Sequence, residues 1–596
     1  MSSLFNKLFR GKKHAEEMDI LQEEALQSPL RTIIKNFVSN RLAMTGLIVF
    51  LIIFAVVLVG PIFYPITMND KEETQVNVAP GMSLMDVPKE LAGNVRDIDT
   101  GATFSIGVDN NGKVYVWGKT RITQKVDIAE SMPSAKELGN VVDVEAGYDH
   151  VMAINDQGEI FCWGNNRMGQ CQVDSAAKGK QIVQIAAGYQ MSYALTSGGE
   201  IIYWGNENLN DVHVTRKKGN GSITKMAVCN MTLMALKNDG TVVHMGAADS
   251  DLNRIPEGVK FVDLYSTANT CAGIAEDGTV HVWGLTTSGE AEVPEMDGNV
   301  VDMVGGRFHY VALTDKGNVY AWGLNDKHQA EVPAKATNVK AIYGGYYQNY
   351  AVTESNKLVK WGLKGYLFGT DELGRDVFAR LLNGGRMTMT IGAISVIISV
   401  IIGIIIGGVS GFFGGWIDIL LQRLTEIISS LPFLPMAMIL TAIIGNSISE
   451  GGRIVIIMVI LGLLSWPSLA RLVRAQVLAE REKEFVTAAT AMGVKKSTIV
   501  FKHIIPNVIS VIIVSATLDF ASCMLIESSL SYLGFGVKPP RPTWGNMLNG
   551  CVNSVVIQNY WWRWVFPAIM LSICVICINM VGDGLRDAID PKSNER

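Results

Sequence analysis

Two carboxylates inside a long apolar run are the side chains whose type and position could do chemistry. Asp519 lies in the middle of the apolar run 508–530, and Glu527 follows two helical turns later. Residues at this spacing share one face of a helix. An ionisable side chain within a membrane span is a candidate for lining a solute pathway. For Asp519, pore lining and a buried hydrogen-bonding role remain equally open.

A second set of residues is typical of docking rather than catalysis. Residues 484–493 (EFVTAATAMG) and 502–507 (KHIIPN) lie between two long apolar runs. The first stretch favours a short helix with small side chains for close approach, which Gly493 ends. Such a rigid protrusion could enter a cleft in a separate protein, whereas an ordinary loop is the alternative. The residues of interest are Glu484, Thr487, Ala488, Ala489, Gly493, His503 and Pro506.

Enzymatic and metal chemistry find little support in the sequence. His150 and His309 occupy equivalent positions of a repeat, which favours structural hydrogen bonds. Residues 107–113 approach a phosphate-binding loop, but no Ser or Thr follows and the segment reads as a hairpin turn. Cys574 and Cys577 lie within an apolar run, which indicates buried thiols. We expect no catalytic residue, no metal site and no directly bound cofactor.

Apolar runs of about 20 residues, the length that crosses a bilayer, predict an all-α membrane domain with six spans. Basic residues concentrate in the N-terminal arm 1–41 and between Arg471 and His503. This asymmetry places both regions in the cytoplasm, so residues 66–387 should lie outside. The predicted spans are 42–64, 388–413, 418–445, 453–473, 508–530 and 563–582.

An aromatic–glycine pair recurs through the external region at intervals of about 40 residues. Each unit reads as a short apolar strand, a Gly-x-x-His variant, a second strand, an Asp/Asn–Gly turn and a third strand. This pattern predicts an all-β propeller with seven blades. The pairs are Trp117–Gly118, Trp163–Gly164, Trp204–Gly205, Met245–Gly246, Trp283–Gly284, Trp322–Gly323 and Trp361–Gly362.

The ends of the repeat region indicate how the ring closes. Five units are followed by a segment such as 290–294 (EAEVP), but the last unit has none. A similar segment, 84–88 (LMDVP), instead precedes the first unit. We therefore expect residues 84–88 to supply an outer strand of the last blade. Closure of this kind removes exposed sheet edges and brings the ends of an inserted domain together.

Several segments outside the repeats resemble the C-type permeases of dipeptide and oligopeptide ABC importers. Residues 35–46 (KNFVSNRLAMTG) resemble their entry into the first span, and residues 368–380 (FGTDELGRDVFAR) the segment before the second. Residues 530–536 (LSYLGFG) and 542–547 (PTWGNM) are similar to their outer loop after the fifth span. The repeats themselves resemble those of the regulator of chromosome condensation.

The resemblance implies a role for each candidate residue. Residues 480–506 match the cytoplasmic coupling loop on which a separate ATPase docks, although Thr487 stands where the family has Glu. Glu527 matches a carboxylate that the family carries, which favours a structural role. The implied partners are two ABC ATPase subunits, a B-type permease, an extracytoplasmic solute-binding protein and membrane lipid. ATP would be used by the partners alone, and the net charge of -5 gives no reason to expect nucleic acid.

The resulting hypothesis is a permease subunit that moves peptides or similar small solutes across the cytoplasmic membrane, with an external propeller that docks a protein or ligand. The alternative is a membrane-anchored recognition protein whose permease half is a relic, and an external enzyme is a weaker third. The expected organisation is an N-terminal arm 1–41, a first span 42–64, a propeller 80–365, a pre-span segment 366–387, five spans 388–582 with the coupling loop 480–506, and a cytoplasmic tail 583–596.

Overall fold

The computed structural model describes residues 29–66, 71–206, 222–230, 232–245, 250–444 and 449–589. The chain forms two compact units, one from Lys71 to Arg375 and one built from the residues on either side. Residues 1–28 of the predicted arm, Gly246 of the fourth repeat and residues 590–596 of the predicted tail lie outside the described residues.

The unit from Lys71 to Arg375 consists of seven three-stranded antiparallel sheets, as the repeat predicts. The first strands of the sheets neighbour one another in sequence order, and β19 also neighbours β1, so the ring is closed. The strands are β1 (Val95–Thr100), β2 (Phe104–Asp109), β3 (Val114–Gly118), β4 (Val141–Ala146), β5 (His150–Asn155), β6 (Ile160–Gly164), β7 (Ile182–Ala187), β8 (Met191–Thr196), β9 (Ile201–Gly205), β10 (Ile223–Cys229), β11 (Thr232–Lys237), β12 (Val242–Met245), β13 (Phe261–Ser266), β14 (Thr270–Ala275), β15 (Val280–Gly284), β16 (Val300–Gly305), β17 (His309–Thr314), β18 (Val319–Gly323), β19 (Val339–Gly345), β20 (Gln348–Thr353) and β21 (Leu358–Gly362).

The inner strand of every sheet carries an irregularity at the same place. In β1 the register with β2 shifts between Val95 and Asp97, and in β4 it shifts between Val141 and Asp143. The other five inner strands show the same shift near their start. A bulge re-aims the side chain that follows it. Among the re-aimed residues are Asp97 and Asp143, which line a central cavity.

The tryptophans of the repeat fill the space between sheets, as predicted. All six are buried, with exposed fractions of 3–6%. The indole of Trp322 donates to the carbonyl of Glu290 at 2.8 Å, and that of Trp361 to the carbonyl of Gln329 at 3.0 Å. In these two blades the segment before the blade therefore anchors its tryptophan, as the Gln170 carbonyl does for Trp204 at 2.9 Å.

The segment 84–88 joins the last sheet to the first, but the prediction that it forms a strand is wrong. Leu84 and Met85 lie in a turn, and residues 86–88 have no regular secondary structure. Met85 instead packs against Trp117 of the first sheet and Tyr350 of the last. The two ends of the unit do lie side by side, as expected, with the Leu84 N–H donating to the Lys364 carbonyl at 2.9 Å.

The second unit is built of helices. Five helices among the described residues are long and apolar enough to cross a membrane, or six spans if one bent pair is counted as a span. The helices are α1 (Pro29–Ser39), α2 (Arg41–Phe63), α3 (Val377–Phe413), α4 (Gly415–Ser430), α5 (Phe433–Ile444), α6 (Glu450–Arg481), α7 (Glu484–Ala491), α8 (Ile505–Tyr532), α9 (Trp544–Asn549), α10 (Ser554–Asn559) and α11 (Trp562–Ile589).

The predicted third span, 418–445, is a bent pair of helices rather than one straight helix, and it is the sixth span if the pair is counted as one. It corresponds to α4 and α5, which are bent by 84° at a short break. Leu431 at the break has extended backbone, with φ −74° and ψ 132°. Pro432 disfavours helical backbone at the residue before it and removes an N–H from the helix, which is consistent with a break at this point of the apolar run.

Each of the other spans begins before its predicted apolar run, and three of them also end after it. The predicted pre-span segment 366–387 is partly helical, because α3 already begins at Val377 with Asp376 as its N-cap. Similarly, α6 extends to Arg481, beyond the predicted end at residue 473. Helical hydrogen bonds need no apolar side chains, so the helices continue past the hydrocarbon-length runs.

Candidate functional site

The predicted coupling loop, residues 480–506, is a folded segment whose inner face packs against neighbouring helices. Val486 and Ala489 of α7 are 4% and 7% exposed. They belong to the same apolar cluster as Ile499, Val500 and Val473. This packing fixes the position of α7 relative to α6 and the start of α8.

The end of α7 is built as the glycine predicts. Gly493 has φ +78°, a left-handed conformation that favours glycine at the end of a helix. The Val494 N–H donates to the Ala489 carbonyl at 3.1 Å, which turns the chain back. One helical turn, Lys496–Thr498, and a π turn, Ile499–Ile504, then lead directly into α8. These two turns are therefore continuous with the span, and Pro506 lies in the first turn of α8.

The outer face of the coupling loop is open to solvent. Glu484, Thr487, Ala488, His503 and Pro506 are exposed there. Ala488 is therefore exposed, whereas Ala489, the next residue of α7, is buried. Large apolar side chains that stay exposed mark contact surfaces when they lie together. The loop exposes three of them: Phe485 at 37%, Met492 at 76% and Phe501 at 40%.

An ion pair that sequence reasoning missed ties α4 to α6 just before the coupling loop. The guanidinium of Arg474 donates two hydrogen bonds to the Asp418 carboxylate, both at 2.6 Å. Ser410 of α3 also donates to Asp418. Asp418 lies at the start of the predicted third span, and the signal for its partner was Arg474, the residue directly after the predicted fourth span. Arg423 and Glu426 pair with each other at 2.6 Å.

Glu527 and Asp519 share α8 but have different surroundings. Glu527 is fully buried and accepts a hydrogen bond from the Ser531 hydroxyl at 2.7 Å. The adjacent segment packs tightly, because a Cβ at Gly545 would lie 2.5 Å from backbone of Ser528. Asp519 is half-buried, and its Oδ2 has no hydrogen-bond partner among the described residues. Of these two residues, Asp519 is therefore the one that presents an unsatisfied carboxylate oxygen.

The repeat histidines are structural, as predicted. His150 and His309 are both fully buried. Nε2 of His150 lies 2.9 Å from the Ser192 hydroxyl, and Nε2 of His309 lies 3.0 Å from Oδ1 of Asn349. Each histidine thus bonds to the next sheet. Burial lowers the pKa of His309 to about 4, which keeps the ring neutral. Within the described ranges, no group of three His, Cys, Asp or Glu residues is arranged to hold a metal ion.

Comparison with known proteins assigns the helical unit. Residues 368–595 match the family described as binding-protein-dependent transport system inner membrane component, and residues 28–80 match the N-terminal TM domain of oligopeptide transport permease C. The oligopeptide transport system permease protein OppC of Escherichia coli (strain K12) is 44% identical over 228 residues, which are 38% of this chain and 73% of that protein. The chain belongs to the oligopeptide transport permease C family.

Other relatives of this permease carry similar names. A putative peptide permease protein of Brucella suis biovar 1 (strain 1330) is 42% identical over 226 residues, 38% of this chain and 73% of the relative. The dipeptide transport system permease protein DppC of Alkalihalophilus pseudofirmus is 37% identical over 225 residues, 38% of this chain and 71% of the relative. The permease is thus an integral inner-membrane protein, and family membership implies an ABC transporter complex rather than an enzyme.

The propeller lies between the two matched permease segments. Residues 141–170 and 300–329 match the regulator of chromosome condensation repeat. The CRINKLY WD40 ectodomain of the Arabidopsis thaliana receptor kinase ACR4 is 20% identical, with a TM-score of 0.35 over 45% of this chain and 94% of that one. The MetNI methionine ABC transporter in an inward-facing form is 21% identical, with a TM-score of 0.28 over 36% of this chain and 97% of that one.

Proposed function

We propose that this permease is one of two membrane subunits of an ATP-driven importer of peptides or similar small solutes. A B-type permease completes the pore, an external solute-binding protein delivers the solute, and two cytoplasmic ATPase subunits dock on the coupling loop. The propeller lies on the extracytoplasmic side and docks a protein or ligand. ATP is bound and hydrolysed by the partners.

The observation that carries this proposal is the construction of the coupling loop. A docking element must keep its position when the bound partner moves. Val486 and Ala489 pack in an apolar cluster that anchors α7 to the helix bundle. It must also offer a surface for a partner, and Phe485 and Met492 remain exposed beside Ala488. A relic loop would have no reason to retain both properties. Thr487, in place of the family's Glu, is exposed on the same face and leaves the docking surface without a carboxylate at that position.

Co-purification tests the docking role. Full-length protein is solubilised from its native membrane, and the ATPase and B-type subunits that accompany it are quantified. Ala488→Asp places an unpaired charge in the proposed interface, which should cost about 2 kcal/mol or more and reduce bound ATPase by roughly thirtyfold. The B-type subunit should remain bound, because Ala488 lies on the exposed face of the loop.

Ser554→Asp is the matched control, since Ser554 is exposed on α10 and follows the far end of α8 from the coupling loop. It adds the same charge and should leave all subunits bound. Absence of any ATPase from the parent preparation would favour the membrane-anchored recognition protein instead. Loss of the ATPase in both variants would show that Ala488→Asp acts non-specifically.

A further inference from the structure

The inner strands of the propeller enclose a cavity of about 420 Å³ to which all seven of them contribute. This volume falls in the range of about 300–1,000 Å³ that is typical of small-molecule sites. The segment that follows the first span covers one end of the inner strands. There the Tyr148 hydroxyl donates to the Glu73 carbonyl at 3.0 Å, and the Gln75 amide donates to the Ala102 carbonyl.

Four carboxylates converge on one side of this cavity. Asp97 and Asp99 come from β1, and Asp143 and Glu145 come from the neighbouring β4. Asp97 accepts from the Val144 N–H at 3.1 Å, and Asp99 accepts from the Ala146 N–H at 2.7 Å. These bonds hold the two aspartates across the junction between the sheets, so four acidic groups share one small space.

No basic side chain neutralises these four carboxylates in the part of the chain that the structure describes. The cavity is also lined by Lys225 and Arg307, but both already have partners. Lys225 pairs with Asp263, and Arg307 pairs with Glu72 at 2.6 Å. Among the described lining residues, the acidic side of the cavity therefore has no basic side chain to balance its carboxyl groups.

Burial and mutual repulsion both raise the pKa values of these carboxyl groups. Burial, opposed by hydrogen bonds to backbone N–H groups, raises the pKa of Asp99 to about 7. Burial and then the three neighbouring carboxylates raise the pKa of Glu145 well above its ordinary range. A bound cation would relieve this electrostatic cost, because opposite charge favours the ionised carboxylates.

A separate observation at the same cavity concerns Thr100. This cavity-lining residue is 2% exposed, and its hydroxyl oxygen has no hydrogen-bond partner. A Cβ at Gly345 would lie 2.6 Å from that oxygen, so a larger residue would fill the space beside it. Buried hydroxyl groups are nearly always hydrogen-bonded in native proteins. The orphaned hydroxyl therefore calls for a partner that the described chain does not supply.

The side chains that line the cavity indicate which kind of cation it would bind. The described residues contain no metal-binding group of three ligands, which disfavours a metal ion. Tyr189 and Tyr346 also line the cavity, and tyrosine rings attract organic cations through their faces. Carboxylates and a hydroxyl are acceptors for N–H donors. This combination suits an ammonium group attached to a small organic body.

We propose that the propeller cavity binds a small organic cation through a primary ammonium group, which the carboxylates of β1 and β4 receive. This inference deepens the ligand-docking role proposed above for the propeller. A free amine and the amino terminus of a short peptide share this chemistry. The ammonium lies against Asp99 and Glu145, and Thr100 accepts one of its N–H groups.

Calorimetry on the full-length protein in lipid nanodiscs tests the proposal at pH 7.5. The probes are putrescine, trialanine, N-acetyltrialanine and Ca²⁺. Putrescine, trialanine or both should bind with a Kd below about 1 mM. Binding of putrescine alone assigns a free amine, whereas binding of trialanine but not of its N-acetyl form assigns a peptide amino terminus.

Variants locate the binding. The double substitution Asp99→Asn/Glu145→Gln should weaken amine binding at least tenfold, or about 1.4 kcal/mol. Glu276→Gln/Glu354→Gln makes the same change of net charge at exposed turn positions and should bind like the parent. Thr100→Val replaces the hydroxyl with a methyl group and should weaken amine binding severalfold. This variant tests the proposal even if the double variant fails to fold.

The proposal is overturned if neither amine binds to protein whose tryptophan fluorescence shows a folded propeller, or if Ca²⁺ binds and the amines do not. Unchanged amine affinity in both the double variant and Thr100→Val would overturn it as well. ATPase co-purification is measured on the same preparations. Retained ATPase without amine binding would reject the cavity ligand alone, and amine binding without ATPase would reject the importer alone.

Discussion

At the scale of single residues, α8 shows how one helix can hold two carboxylates for different purposes. Glu527 is fully buried and accepts a hydrogen bond from Ser531. Its role is therefore to hold the surrounding segments together. Asp519 is half-buried and keeps one oxygen without a partner among the described residues. An unsatisfied carboxylate within a span is costly to retain without a use. We therefore propose that Asp519 lines the solute path.

Asp519→Asn tests this role with almost no change of side-chain shape. Uptake of a labelled peptide into proteoliposomes that contain the complete transporter should fall about tenfold, which corresponds to about 1.4 kcal/mol. The loss arises because the amide cannot supply the negative charge, while subunit assembly should be unchanged. Asp583→Asn, at an exposed position of α11, is the control and should transport like the parent. Parental uptake by Asp519→Asn would remove Asp519 from the path.

At the scale of helices, the contact between α3 and α6 depends on a stripe of glycines on α3. A Cβ at Gly407 would lie 2.5 Å from the Ala470 carbonyl oxygen, and one at Gly411 would lie 2.8 Å from that of Arg474. Small residues at such spacing let the backbones of membrane helices approach closely. The stripe leads toward the Asp418–Arg474 ion pair, so the segment of α6 before the coupling loop is held by both backbone contact and charge.

Gly407→Ala should therefore destabilise the helical unit. An alanine in a helix interior is ordinarily favoured over glycine by about 1 kcal/mol, but the clash with Ala470 should cost about 1–3 kcal/mol. The midpoint of thermal loss of helical circular dichroism in detergent should fall. Gly451→Ala in α6 is the matched control, because an added Cβ there meets nothing within 4 Å. A Gly407→Ala midpoint at or above that of the control would contradict the packing argument.

At the scale of the molecule, the chain consists of two units with separate cores. The propeller unit begins at Lys71 and ends at Arg375, wider than the predicted 80–365. Residues after the first span pair with residues before α3: the Glu72 N–H donates to the Leu373 carbonyl at 2.9 Å. The chain therefore enters and leaves the propeller at one place, as an inserted domain should.

Excision of residues 72–374, with a short Gly/Ser linker in their place, should leave a helical unit that still folds. The ends to be joined are already close, so a short linker imposes little strain. The excised variant should retain its ATPase in co-purification and lose amine binding completely. The parent chain carrying the same linker inserted after residue 158, in an exposed hairpin turn, is the control. Failure of only the excised variant to enter the membrane would show that the units depend on each other.

The sequence by itself determined the features that repeat or that carry a family pattern. The period of the Trp–Gly pairs gives seven sheets, because each unit encodes its own strands and turns locally. The motifs at 368–380, 484–493 and 542–547 lie within the segment that matches the family, and the second of them predicts the coupling loop. The end of α7 at Gly493 could also be predicted, because a helix often ends at a residue with left-handed backbone, which glycine adopts readily.

Only the tertiary structure decided which side chains meet. The aspartates of the first strands recur visibly in the sequence, but their convergence with Glu145 depends on the bulges and on closure of the ring. The pairing of Asp418 with Arg474 and the opposite environments of Asp519 and Glu527 likewise arise from packing between helices distant in sequence. Local propensity fixes the period and direction of an element, whereas contacts across long loops depend on how the elements pack.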